Sequence, residues 1–216
     1  DAVGMEGADC AEVEPEEPGY AQYVRRGISA RGLRHLVTEL GVERSDTTNK
    51  VCQLRVKPRT VADGWVDEPQ VTDAGRGYYK HSYVCERTGE RREGAAPPGT
   101  RSMCDVLLDD PRTAGFVGRP TRFLSHAWMY LFLNLVVALE AYVASLPPGE
   151  PEPFFWFDCL SLDQHANNGQ GSDWWRDTFL LAIGAIGHTV MMLSPWDKPV
   201  PLSLSLIHIS EPTRPN

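Results

Sequence analysis

The chain has 216 residues, an apolar fraction of 42% and a formal charge of −8, values ordinary for a globular domain with room for accessory segments. The acidity sits at one end, where Asp1, Glu6, Asp9, Glu12, Glu14, Glu16 and Glu17 carry negative charge with no basic residue among them. Beyond that run the balance is nearly neutral and no basic stripe appears, which excludes a nucleic-acid-binding surface built on phosphate contacts.

Residues 1–27 are expected to form a solvated, disordered acidic arm. The first Met is Met5, inside this arm, and no basic-then-apolar targeting segment precedes it. At the other end, Leu204 to Arg214 is similar to a translated transposase adapter from sequencing-library preparation. Native sequence is therefore expected to stop near Leu202, with 203–216 a non-native tail. Cys10, Cys52, Cys85, Cys104 and Cys159 are odd in number and widely spaced, which predicts reduced thiols and a cytoplasmic protein rather than a disulfide framework. His81, Cys85 and Cys104 lack a fourth ligand and the spacing of a zinc finger, so no metal site is expected.

In chain order, the first pattern is a helix over Ile28 to Leu40, with Ser29 as N-cap, an apolar stripe of Leu33, Leu36, Val37 and Leu40, and Gly41 as its stop. Thr47 to Val56 reads as a short element closed by Lys57-Pro58. Asp63 to Gly99 is rich in Gly, Pro and charge and reads as a long irregular connection holding a hairpin around Tyr78 to Val84. Residues 28–118 thus form an irregular, α-containing accessory region.

Gly118-Arg119-Pro120 breaks the chain, and Thr121 to Ser125 reads as a short strand. Met129 to Leu146 is apolar over a length near the lower limit for a membrane span. Asn134, Glu140 and the lack of flanking Lys or Arg instead favour a buried helix. Leu131, Leu135, Leu139, Tyr142, Val143 and Leu146 share one face, and Leu133 and Val137 make the opposite face apolar, which predicts cover on more than one side. Phe154 to Leu160 reads as a strand buried on both faces. A polar, flexible loop is expected over Asp163 to Gly171. Ser172 or Asp173 then caps a helix whose Trp175, Phe179, Ala182, Ile183 and Ile186 share a face, and Gly187 ends it. Thr189 to Leu193 reads as a third buried strand. Strands alternating with helices predict an α/β fold with a parallel sheet.

Three segments carry a family likeness. Phe123-Leu124-Ser125-His126-Ala127-Trp128, then Phe155-Trp156-Phe157-Asp158 continuing to His165, then Thr189 to Trp196 resemble TIR-like (Toll/interleukin-1 receptor-like) domains of protists and algae. Upstream, Thr47 to Cys52 with Val56-Lys57-Pro58 is similar to a segment found before the first of these boxes. The resemblance implies a truncated, partial flavodoxin-like sheet with flanking helices over 119–202. It also implies a signalling module that associates with like TIR-type domains or other proteins. Some members cleave NAD with a Glu in a Trp-Cys-x-x-Glu pattern. This sequence has no such pattern, so no catalytic residue and no cofactor are assigned to it, and NAD remains a possibility for a longer parent.

Ligands of open α/β sheets bind outside the carboxyl ends of the strands. Ser125 and His126 follow the first strand, Asp158 the second and Ser194 the third, so these four are the candidate ligand-binding residues. The alternative is structural: Asp158 accepts from nearby amides and His126 pins its turn. A hydrolase triad is disfavoured because no Gly-x-Ser-x-Gly elbow is present. Asp163 and His165 match no defined metal loop and are read as solvated, while Trp174, Trp175 and Trp196 are read as packing residues.

Overall fold

A computed structural model describes residues 24–73, 77–166, 170–195 and 197. Most of the acidic arm, the adapter-like tail, Cys10 and Trp196 lie outside these residues. The fold is mixed α/β, with one five-stranded sheet and one three-stranded sheet.

β1 (Gly27–Ser29) leads directly into α1 (Ala30–Glu39), where the Ser29 hydroxyl accepts from Gly32 N and Gly41 takes a φ of 61° just beyond the end. This is the expected cap and stop, and Leu33, Leu36 and Leu40 are buried. The second element does not end at Lys57-Pro58. α2 (Thr48–Val51) passes through a π-helical segment, Cys52–Val56, into α3 (Lys57–Thr60). Pro58 falls in the first turn of α3, where its missing N–H costs little, and the wider π turn upstream gives its ring room.

Asp63 to Gly99 is better ordered than its composition suggests. β2 (Trp65–Asp73), β3 (Tyr78–Cys85) and β4 (Arg91–Glu93) form an antiparallel sheet in that order. Pro69 is tolerated because β2 lies at an edge. α4 (Met103–Asp109) and the two-residue β5 (Val117–Gly118) complete this half.

The larger sheet runs β5-β1-β7-β6-β8, where β6 is Arg122–Ser125, β7 is Phe154–Trp156 and β8 is Thr189–Met191. β6 is parallel to both β7 and β8, with Phe123 opposite Trp156 and Ser125 opposite Met191. β1 is antiparallel to β7 and to β5. Four of the five strands therefore share a direction. β1 and β5 escape a periodicity reading because two or three residues cannot show one.

Side chains alternate across this sheet as the strand period requires. Leu124 and Phe155 face the main core with α1, α4 and α5 (Phe132–Ala144). Phe123 and Trp156 face α7 (Ser172–Ile186), where they stack at 5.2 Å and Phe179 meets both rings edge-on.

Four boundaries differ from expectation. α5 begins at Phe132 because residues 128–132 bond elsewhere: Tyr130 O accepts from Thr48 N, Trp128 O from Asn49 N, and Phe132 N donates to Asp46 O. Its second face is not covered, since Val137 is 54% exposed. The run from Phe154 bends after Trp156 into a helical turn, α6 (Asp158–Ser161). There the Asp158 carboxylate accepts from Cys159 N and the Ser161 hydroxyl from Phe157 N, local bonds that compete with the ladder. α7 is capped by Gly171 rather than by a Ser172 or Asp173 side chain. β8 is an edge strand, not a buried one, with Met191 45% exposed. Among the described residues no helix is long and apolar enough to cross a membrane.

Candidate functional site

The rim beyond the parallel strands is the first candidate. His126 leaves β6 and Asp158 opens α6, and the structure brings them together, with His126 Nε2 3.9 Å from Asp158 Oδ1. That gap is too long for a direct hydrogen bond. The carboxylate is already held: Oδ2 accepts from Trp128 Nε1 at 2.9 Å and Oδ1 from Cys159 N at 2.8 Å. The His126 side chain is 3% exposed and lies edge-on to Phe157. Burial holds its pKa below the ordinary histidine value, so the ring is neutral at pH 7. Its Nε2 has no hydrogen-bond partner among the described residues.

Ser125 and Ser194 lie on the same rim, but neither hydroxyl bonds to this pair. Ser125 O accepts from Met192 N, and Ser194 N donates to the Tyr130 hydroxyl, which ties the loop after β8 to the loop after β6.

Beside the rim lies a polar seam between the two halves of the chain. Residues 163–165 are not solvated as their composition suggests. Gln164 and His165 are buried, and Asp163 accepts from Thr100 Oγ1, His165 N and Ala166 N. Gln164 donates to Asp158 O at 2.6 Å and accepts from the Cys52 thiol. His165 Nε2 is 3.0 Å from Lys57 O and 3.1 Å from Thr60 Oγ1, and its Nδ1 is 3.1 Å from the Tyr83 hydroxyl.

These partners select one tautomer: Nε2–H donates to the Lys57 carbonyl, while Nδ1 accepts from Tyr83. Burial, with Lys57 beside it, pushes the His165 pKa down to about 4, so the ring is neutral at pH 7. Burial raises the Tyr83 hydroxyl and lowers the Lys57 ammonium. On the far side, His81 Nδ1 faces Asp67 at 2.9 Å and its Nε2 faces Gln53 Oε1 at 2.8 Å. His81 is therefore taken up by Asp67 and Gln53. Among the described residues no group of His, Cys, Asp and Glu has the arrangement of a metal site.

The third feature is a surface. Leu180 (61% exposed), Leu181 and Ile183 on α7 and Met191 and Leu193 at β8 are all exposed. No Asp, Glu, Lys or Arg occurs from Thr178 to Pro195. On the α5 side of the same edge, Leu124, Leu135, Leu139, Tyr142, Val190 and Met192 help to line an apolar groove of about 190 Å³.

Sequence position located the rim residues, because strand ends are legible. It missed Tyr83 and Lys57, whose His165 partner lies far along the chain, and Asp67, which meets His81 across the β2–β3 pairing. Their sequence surroundings, Arg55 to Arg59 around Lys57 and Asp67-Glu68 in β2, are polar and give no signal of burial. Comparison with protein-family models, curated proteins and solved structures finds no match to this chain.

Proposed function

We propose that this chain is a protein-interaction module of the TIR-like kind that associates with a second copy of itself through α7 and the β8 edge. One observation carries the reading. A continuous uncharged segment, Thr178 to Pro195, turns Leu180, Leu181, Ile183, Met191 and Leu193 to solvent beside a strand edge that has no further partner strand among the described residues. Apolar patches that adjoin an open edge are association sites. A surface without charge meets its own copy with no like-charge repulsion, so a two-fold contact carries no electrostatic penalty.

Two further features support the family part of the reading. The three parallel strands stand in the order second, first, third, which is how a flavodoxin-like sheet begins. The described cysteines are free thiols, in keeping with a cytoplasmic setting. The rim supports a pinning role better than ligand capture, because the His126 ring is enclosed and the Asp158 carboxylate is spoken for by Trp128 and Cys159.

Sedimentation velocity over rising protein concentration tests the proposal. A monomer–dimer shift is expected, and the double variant Leu180→Asp/Ile183→Asp, with an unchanged circular-dichroism spectrum, is expected to stay monomeric. A wild-type chain that remains monomeric throughout would sink it.

A further inference from the structure

The backbone of β8 has a defined inner and outer side. Its inner side is taken by β6: Phe123 N donates to His188 O, and Met192 N donates to Ser125 O. Successive residues of a strand turn their amide and carbonyl to opposite sides, so Val190 also faces β6, while Thr189 and Met191 present theirs outward. No further strand pairs with that outer side among the described residues. The side chains alternate too. Val190 and Met192 pack towards the main core and help to line the groove beside α5, whereas Thr189, Met191 and Leu193 are exposed.

We propose that two copies of this chain pair β8 with β8, antiparallel about a two-fold axis at Val190, and so join two five-stranded sheets into one. The inference rests on the self-association proposed above and gives it a register. Val190 stands opposite the second copy's Val190, and Thr189 of each copy stands opposite Met191 of the other. Each Thr189–Met191 pair exchanges both of its outward hydrogen bonds. Moving the strands by one residue sets inward groups against outward ones and loses these bonds. Registers centred on Thr189 or Met191 pair only one of those two residues within the strand.

A second copy fits this edge better than a separate peptide does. Three residues supply too few backbone bonds to hold an added strand, so apolar surface must supply the rest. The two-fold axis brings the second copy's Leu180, Leu181, Ile183 and Met191 to the same face of the joined sheet, and no charged residue between Thr178 and Pro195 opposes it. On the other face the groove of about 190 Å³ gives the Val190 pair apolar surroundings.

Single-cysteine crosslinking of the full chain reads the register, in a Cys10→Ser background where the four remaining cysteines are buried. The two Val190 Cα atoms of a non-hydrogen-bonded pair stand about 4.5 Å apart, within disulfide reach. Two copies of residue 189, or two of residue 191, stand about 8 Å apart, beyond the limit of roughly 7 Å. With diamide, Val190→Cys is expected to give a covalent dimer that dithiothreitol reverses. Thr189→Cys alone and Met191→Cys alone are expected to stay single chains, and an equal mixture of the two to crosslink. A chain that sediments as a dimer but crosslinks at 189 or 191 alone, or neither at 190 nor in the mixture, overturns this pairing and leaves the association through α7 standing. A Met191 amide already protected from exchange in dilute monomer shows the edge covered within one chain, which overturns the pairing as well. A chain that sediments only as a monomer overturns both.

Discussion

His165 shows most directly how single side chains hold the two halves together. Its ring sits between the Lys57 carbonyl and the Tyr83 hydroxyl, and burial with Lys57 beside it favours the neutral form, which donates to the first and accepts from the second. The pKa falls from 6.5 to about 4 on folding, so the unfolded chain binds the proton more readily between those values. Stability contributed by this group is then complete above pH 6.5 and is lost as pH falls towards 4. The difference amounts to at most about 3 kcal/mol. Urea titrations at pH 7 and pH 4.5 are expected to show wild type losing stability, with His165→Gln less stable at pH 7 but flatter across the interval. Equal slopes for the two proteins would contradict this assignment. Asp158 makes a second case at the same scale. Asp158→Ala leaves the Trp128 indole N–H without its acceptor, an expected cost of about 1–3 kcal/mol in chemical denaturation. Asp158 was legible as a strand-end residue. The role of His165 was not, because its Tyr83 partner lies 82 residues away.

Among elements, the sequence is most transparent where a cap or stop is chemical. Ser29, Gly41 and Gly187 fall where their helices begin or end. It is least transparent where tertiary bonds take over, as when bonds from Asp46, Thr48 and Asn49 to Phe132, Tyr130 and Trp128 delay the start of α5 to Phe132. Gly32 illustrates that competition within α1. Gly→Ala inside a helix normally stabilises by about 0.5–1 kcal/mol. Here the added methyl would sit 2.8 Å from both Ile28 Cγ1 and Phe116 Cβ, and overpacking costs roughly 1–3 kcal/mol. Overpacking wins, so Gly32→Ala is expected to lower the thermal midpoint. A raised midpoint would show that α1 can shift away from Phe116.

At the scale of the molecule, the larger sheet takes β1 and β5 from the first half of the chain, and the seam at Lys57, Tyr83 and His165 joins the same halves again. The alternation of strand and helix made the parallel trio readable from sequence. The additional strands, and the small antiparallel sheet over β2–β4, depend on pairings between distant short segments. Among the described residues the outer face of α7 and the edge of β8 leave Leu180, Leu181, Ile183, Met191 and Leu193 exposed side by side, while Val66, Val71 and Val137 are exposed elsewhere. Self-association through α7 and β8 is the central functional claim. Hydrogen exchange followed by mass spectrometry at low and high protein concentration tests it most directly. Peptides covering Leu180–Ile186 and Thr189–Met191 are expected to gain protection as concentration rises, while β2–β4 stays unchanged. Unchanged exchange in α7 and β8, or protection gained on β2–β4 instead, would contradict it.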